Sequence, residues 1–224
     1  MEKISRFVAY CKYPFILSMH KLNSEWAQII SDVVSPPVVW AVMAFPIAAR
    51  NAPTPEAAFT WALLYILLLA FLPSLYVILQ VRRGNITDRH MPLREERIRP
   101  FIVSLISGTI ATAVFGLIGT SPTMWLFVIS NLIQLMLMTL ITMFWQISIH
   151  MISITAAIIM MGALFGIVPA LILSPLILIV ALARLKLHRH TRAQVIAGVV
   201  VGGLSVSALL AIATMLEPGV WAQH

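Results

Sequence analysis

The sequence predicts an all-α protein, a polytopic bundle of about seven membrane-spanning helices. Of its 224 residues, 60% are hydrophobic and 10% are charged, and the mean hydropathy is +0.96. Soluble domains are about 45–50% apolar and about 25% charged. The apolar residues here form runs of about 20, the length that crosses the hydrocarbon core of a bilayer. The single cysteine, Cys11, excludes an intramolecular disulfide.

Seven apolar runs define the predicted spans. In chain order they cover residues 26–49, 59–80, 101–119, 124–145, about 148–165, 167–183 and 195–215. Ser24 is expected to cap the first span and Pro36-Pro37 to bend it, while Pro169 suits the first turn of the sixth. This gives an amino-terminal segment at 1–25, which lacks the features of a signal peptide, one transmembrane domain at 26–216, and a short tail at 217–224.

The basic residues fall almost entirely on one side of these spans. With the amino terminus placed on that side, it holds 14 of the 15 Lys and Arg residues, and Arg50 alone lies opposite. Cytoplasmic loops carry such an excess, so this side is predicted to be cytoplasmic and the carboxyl terminus outside. The net charge of +7 favours contact with an anionic bilayer over nucleic acid. The oligomeric state stays open.

Three polar segments are expected to meet at the cytoplasmic face, because each pair is separated by two spans. They are Arg97-Ile98-Arg99-Pro100 at the end of the loop at 81–100, the short Ser148-Ile149-His150, and the run ARLKLHRHTRAQVIAGVVVGG at 183–203. Guanidinium groups bind phosphate in a bidentate fashion. Imidazole can attack phosphorus or transfer protons, and a helix start binds anions. Together they predict a phosphate site without a metal or cofactor.

These residues also carry a family resemblance, which covers about residues 81–203. Arg184-x5-His190, followed by Gln194 and then by Gly198 and Gly202, is similar to S-R-x5-H-x3-D, the third motif of the type 2 phosphatidic acid phosphatase family. Ser148-Ile149-His150 resembles the second motif, P-S-G-H, and Arg99-Pro100 the end of the first, K-x6-R-P. The departures are Ala183 for Ser, Gln194 for Asp, Ile149 for Gly, and Pro92 for Lys.

The resemblance implies a lipid phosphate phosphatase with a six-helix core plus one extra span. Its substrate would be a membrane lipid, either a polyprenyl phosphate or diphosphate or a phosphatidate-type lipid. His190 would be the nucleophile that forms a phosphohistidine, His150 the general acid, and Gln194 the partner of His190 in place of a carboxylate. Phosphate would be held by Arg184, Arg99 and Ser148, with Arg97, Arg94 or Arg89 supplying the contact of the missing Lys.

Other interpretations stay open. An intramembrane prenyltransferase would hold a diphosphate through magnesium at Asp-rich sites, whereas Asp32 and Asp88 are the only aspartates in the sequence. A non-catalytic lipid-binding or transport protein on a degenerate phosphatase fold would also fit the change from Asp to Gln194. The loop arginines and their acidic neighbours could instead form a salt-bridged surface helix. Asp32 is itself a functional candidate, as an intramembrane carboxylate.

Overall fold

Helices make up most of the structure, a computed structural model that describes residues 14–91 and 93–216, with side chains from residue 24 onward. The described residues form eight helices: α1 Pro14–Val33, α2 Pro36–Asn51, α3 Pro55–Arg82, α4 Arg94–Leu117, α5 Pro122–Phe144, α6 Ile149–Phe165, α7 Ile167–Lys186 and α8 Arg192–Leu216. Within α3, Ile66–Phe71 is a π-helix, and α7 is interrupted at Ser174 between Ile167–Leu173 and Pro175–Lys186. The prediction of an all-α fold is confirmed.

The apolar character of these helices confirms a multi-pass membrane protein. Helices α3, α4, α5, α7 and α8 are each long and apolar enough to cross a bilayer. The part of α1 from Ser24 forms a sixth such unit with α2, bent by 46°. The bend falls at the predicted Pro36-Pro37, because a proline cannot donate the backbone hydrogen bond that would continue α1. The amino-terminal residues before Pro14 and the tail at 217–224 lie outside the described residues.

Two predicted boundaries are wrong. The first span is predicted to begin at 26 with Ser24 as its cap, but α1 begins at Pro14 and Ser24 lies inside it. The third span was placed at 101–119, but α4 begins at Arg94 and its helix runs through Pro100. Glu95 and Glu96 lie in its first turn, where negative charge stabilises the amino end of a helix. The arginine-rich stretch expected in a loop is therefore the first two turns of α4, which fixes the direction of each arginine side chain.

Helix α6 is the centre of the bundle, and α8 packs directly on it. Of the 17 residues of α6, 11 are buried. A Cβ atom added to Gly202 would lie 2.4 Å from the carbonyl oxygen of Ile152, and one added to Gly198 would lie 2.7 Å from that of Ser148. The two backbones therefore touch at glycines four residues apart, as small residues allow in membrane helix pairs. This contact fixes the start of α6 against the start of α8.

Candidate active site

The three predicted segments do meet, at the end of the bundle where α6 and α8 begin. The Ser148 backbone N–H donates to the Gln194 carbonyl at 3.3 Å, and Arg97 donates to the Ile147 carbonyl at 3.4 Å. The carboxyl-terminal end of α1 and the loop at 83–93 also enter this region, through Ser31 and His90. The site is thus built from five parts of the chain.

Arg184 and His190 form its centre. Arg184, on the last turn of α7, is 1% exposed, and one of its Nη atoms lies 3.4 Å from Nε2 of His190. Since a guanidinium only donates, Nε2 of His190 is the acceptor and Nδ1 carries the proton. Burial, together with the charges of Arg184 and Arg97, lowers the pKa of His190 to about 3. The ring is therefore neutral, with a lone pair available at Nε2.

His150 lies beside this pair, in the first turn of α6. Its Nε2 is 3.1 Å from the carbonyl oxygen of Ser31, and the Ser31 hydroxyl accepts a hydrogen bond from Arg184 at 3.0 Å. Because a carbonyl only accepts, Nε2 of His150 carries the proton and Nδ1 has a free lone pair. Ser31 therefore connects His150 with Arg184, and no feature of the sequence pointed to it.

The structure brings Arg97 into the site and leaves Arg99 outside it. Arg97 is 1% exposed, and its Nε donates to the Met91 carbonyl at 2.9 Å. Arg99 is exposed. Positions two residues apart on an α-helix are rotated by about 200° about its axis, so the two side chains point in nearly opposite directions. The phosphate-binding role predicted for both arginines can thus apply only to Arg97, a correction that follows from the earlier start of α4.

Ser148 and Gln194 lie where the helices α6 and α8 begin. The Ser148 side chain is fully buried, and its Oγ has no hydrogen-bond partner among the described residues. The Gln194 Oε1 accepts from the Thr191 N–H at 2.9 Å, and the Gln194 N–H donates to Oγ1 of Thr191 at 3.3 Å. This reciprocal pair is a capping box. Gln194 therefore caps α8 while its side chain stays close enough to His190 to act on the pKa of that ring.

The site contains buried positive charge and unpaired polar atoms. Neither Arg97 nor Arg184 contacts a carboxylate in the part of the chain that the structure describes. Among the buried polar atoms without a hydrogen-bond partner there, Ser148 Oγ, Arg184 Nε and His190 Nδ1 can donate, whereas His150 Nδ1 and Glu96 Oε2 accept. Buried charges are normally paired, and a buried unpaired polar group costs about 1–3 kcal/mol. The arrangement therefore favours a bound anion that accepts hydrogen bonds.

Two aspartates form ion pairs at the edge of the site. Arg189 donates to Asp88 at 2.7 Å, and Arg89 donates to Asp32 at 2.7 Å. Partial burial acts to raise the pKa of Asp88, but the His90 N–H and Arg189 outweigh it and lower the pKa below its usual value. With Arg97 and Arg184 included, four arginines face two carboxylates. The cluster has an excess of two positive charges, which matches a phosphate dianion.

A cavity of about 260 Å³ opens beside His150. Its polar wall includes Asp32 and Arg89, which the sequence offered as further candidates, and His90, which it did not. The rest is lined mainly by apolar side chains from four helices: Trp40, Leu69, Val77, Phe101, Leu135 and Met138. The cavity therefore leads from a polar wall at His90 and His150 into the hydrophobic interior of the bundle; Arg97, Arg184 and His190 lie next to it and are not among its lining residues.

Comparisons of the chain with protein-family models, curated proteins and solved structures found no match.

Proposed function

We propose that this protein is a phosphatase of membrane lipid phosphates, which acts without a metal through a phosphohistidine at His190. The observation that carries the proposal is the pair of buried guanidinium groups, Arg97 and Arg184, which lie beside a neutral imidazole and contact no carboxylate among the described residues. Guanidinium groups neutralise the oxygens of a transferring phosphoryl group. Here they take the electrostatic role that magnesium has in many phosphoryl-transfer enzymes.

In the proposed reaction, Arg97, Arg184 and the Ser148 hydroxyl bind the phosphate oxygens. Nε2 of His190 attacks phosphorus, the bond from phosphorus to the lipid oxygen breaks, and His150 gives a proton to that oxygen. Water then attacks the phosphohistidine, and its proton returns to His150. Phosphate leaves and His190 regains its lone pair, with the Gln194 amide assisting its Nδ1–H.

The cavity supports a lipid as the substrate. Its polar wall lies at His90 and His150 and its apolar walls continue between α2, α3, α4 and α5, so a phosphate at the site would have its tail in an apolar environment. Polyprenyl phosphates or diphosphates and phosphatidate-type lipids share this combination of a charged headgroup and a hydrocarbon tail.

The number of membrane spans and their orientation are part of the same proposal. If α1 and α2 count as one bent span and α6 crosses as well, the chain has seven spans. Helix α6 has 17 residues and is about 26 Å long, slightly less than the hydrocarbon core. The distribution of basic residues then places the site at the cytoplasmic face and the carboxyl terminus outside. A reporter fused to the carboxyl terminus tests this, since a cytoplasmic signal contradicts an odd number of spans.

Phosphate release from a panel of lipid phosphates in detergent, with and without a chelator, tests the function. We expect release that the chelator does not change. His190→Ala should abolish release while lipid binding remains, because the arginines are intact, and Arg99→Ala serves as a matched surface control. Magnesium-dependent consumption of a diphosphate would favour a prenyltransferase instead. Binding of lipid phosphates without any release would favour a non-catalytic lipid-binding protein.

A further inference from the structure

His90 is a third histidine of the site, and it lies outside the three predicted segments. Its Nε2 is 2.9 Å from Oδ1 of Asp32, and the same oxygen accepts from the Gln28 amide at 3.2 Å. Since a carboxylate only accepts, Nε2 carries the proton that bonds Asp32. The other ring nitrogen is left free. The carboxylate thus holds the ring in one tautomer, as an orienting aspartate does for a catalytic histidine.

The backbone around His90 is also held in place. The His90 N–H donates to Asp88 at 3.3 Å, and the carbonyl of the next residue, Met91, accepts from the buried Arg97. Met91 has a φ of +45°, a conformation that costs a non-glycine residue of order 1–3 kcal/mol unless its surroundings fix it. Contacts to α1, α4 and the α7–α8 loop therefore fix the position of the His90 ring.

His90 lies between His150 and the outside of the bundle. The two rings are 6.1 Å apart between centroids, and both line the cavity. His150 is 3% exposed and the His90 side chain 9%, whereas the side chain of Asp32, which bonds His90, is 31% exposed and pairs with the exposed Arg89. The separation of the rings is too long for a direct hydrogen bond and suits one bridging water.

We propose that His90, oriented by Asp32, relays protons between bulk water and His150. The inference rests on the proposed phosphatase function. Between turnovers, the cation Arg184 lies next to His150 in a buried site, where a second positive charge is unfavourable. His150 therefore has to lose its proton when phosphate leaves and regain one when the next phosphate binds. A route for this proton is needed, since His150 itself is shielded from water.

One turnover takes up one proton from water and releases one proton to water. On substrate binding, water outside the site protonates the free nitrogen of His90, and a bridging water passes this proton to Nδ1 of His150. His150 transfers it to the departing lipid oxygen as the bond to phosphorus breaks and the bond to His190 forms. The attacking water later returns a proton to His150, and His90 carries it out when phosphate leaves. Asp32 stays ionised throughout.

The charged and titratable groups that face His90 are known from the described contacts. They are Asp32 on α1, Asp88 and Arg89 on its own loop, His150 on α6 and Arg184 on α7. Burial lowers the pKa of His90, and Asp88 and Asp32 oppose this effect. A mainly neutral ring that can take up a proton transiently is what a relay requires.

The test is buffer rescue of His90→Gln. In dilute buffer we expect this variant to release phosphate about 10–100-fold more slowly than the original protein. Added imidazole should restore the rate in proportion to its concentration, because a small base can carry the proton through the cavity. Asp32→Asn should show a smaller defect of the same kind. His188→Asn is the matched control, since His188 is exposed, and Asn tolerates its φ of +52°; its rate should not change.

Three outcomes would overturn the relay. The first is a full rate for His90→Gln in dilute buffer, and the second is a slow rate that imidazole leaves unchanged, which would indicate a purely structural role. The third does not depend on turnover. Inorganic phosphate is mixed rapidly with the protein in weak buffer containing a pH indicator, and proton uptake is followed. We expect uptake that is slower in His90→Gln; no uptake, or equal rates, contradicts the relay even if no lipid phosphate is hydrolysed.

Discussion

The packing of α8 on α6 can be tested with two neighbouring glycines. In Gly202→Ala the new Cβ would lie 2.4 Å from the Ile152 carbonyl oxygen, whereas Cβ atoms essentially never come closer than 3.0 Å to such an atom. The helices must therefore separate by at least 0.6 Å. In Gly203→Ala the nearest atom is Cδ1 of Ile159 at 3.6 Å, an ordinary contact. The second variant is thus a matched control with the same gain in helix propensity.

The magnitude follows from these distances. Forcing an extra carbon into a packed interface costs about 1–3 kcal/mol, which for a chain of this size lowers the melting temperature by about 2–12 °C. The same separation moves His190 relative to His150, and a misplacement of about 1 Å can reduce turnover by about 10²-fold. We therefore expect Gly202→Ala to melt lower and release phosphate more slowly than Gly203→Ala.

Thermal unfolding in detergent and phosphate release from the preferred lipid measure the two effects separately. If Gly202→Ala melts and turns over like Gly203→Ala, the two backbones are not in contact and the relative position of the two histidines is not set by these glycines. If Gly202→Ala melts lower but keeps its full rate, the packing is correct and its link to the site is wrong.

Three further predictions concern the site itself. Arg97→Ala should lower phosphate release by about 10²–10³-fold, and Arg99→Ala by less than about twofold; equal defects would contradict the assignment of Arg97. Gln194→Asp should raise the rate of phosphate release by placing a carboxylate near His190. The same change removes the capping bond to Thr191 and should lower the free energy of unfolding by about 1 kcal/mol. An unchanged rate would mean that the amide already supports His190 as well as a carboxylate does. The pKa of His190 is about 3 in the folded protein and about 6.5 in the unfolded chain. Between these values the unfolded chain binds a proton that the folded protein does not. The free energy of unfolding should therefore fall as the pH drops from about 6.5 towards 3. Melting temperatures of His190→Gln over this range should fall less steeply, and parallel curves would show that the ring is not buried as a neutral group.

The helices were predictable because long apolar runs leave few alternatives. The fifth apolar run, predicted at about 148–165, forms a helix at Ile149–Phe165, since its polar start and the glycine after its end are visible in the sequence. The sequence does not predict the start of α4, because a run of charged residues between apolar segments is typical of a loop. Their charge is compatible with a helix that begins outside the apolar core, and only the contacts of Arg97 show which side faces inward.

The site could be predicted only where its residues lie close in sequence. Arg184, His190 and Gln194 fall within one short run, and their spacing was informative by itself. Ser31 bonds Arg184 across 153 positions, and His90 bonds Asp32 across 58. No local pattern encodes such distant pairs. The sequence indicates Asp32 as a functional candidate but not its partners, which depend on where the end of α1 lies relative to the loop that carries His90.

The π-helical segment of α3 has a consequence for how the cavity can change. At Ile66–Phe71 the Leu72 N–H donates to the carbonyl of Leu67, five residues back, instead of four. Such a segment behaves as a one-residue insertion in an α-helix. Deleting one residue there would restore the regular pitch and remove the wide turn that carries Leu69 of the cavity wall, while Pro73 and Val77 would keep their direction because the wide turn had absorbed the extra residue. The width and lining of the cavity therefore depend on the length of this helix as well as on its side chains, and a related chain could acquire a different preference through a single deletion without any substitution at the site.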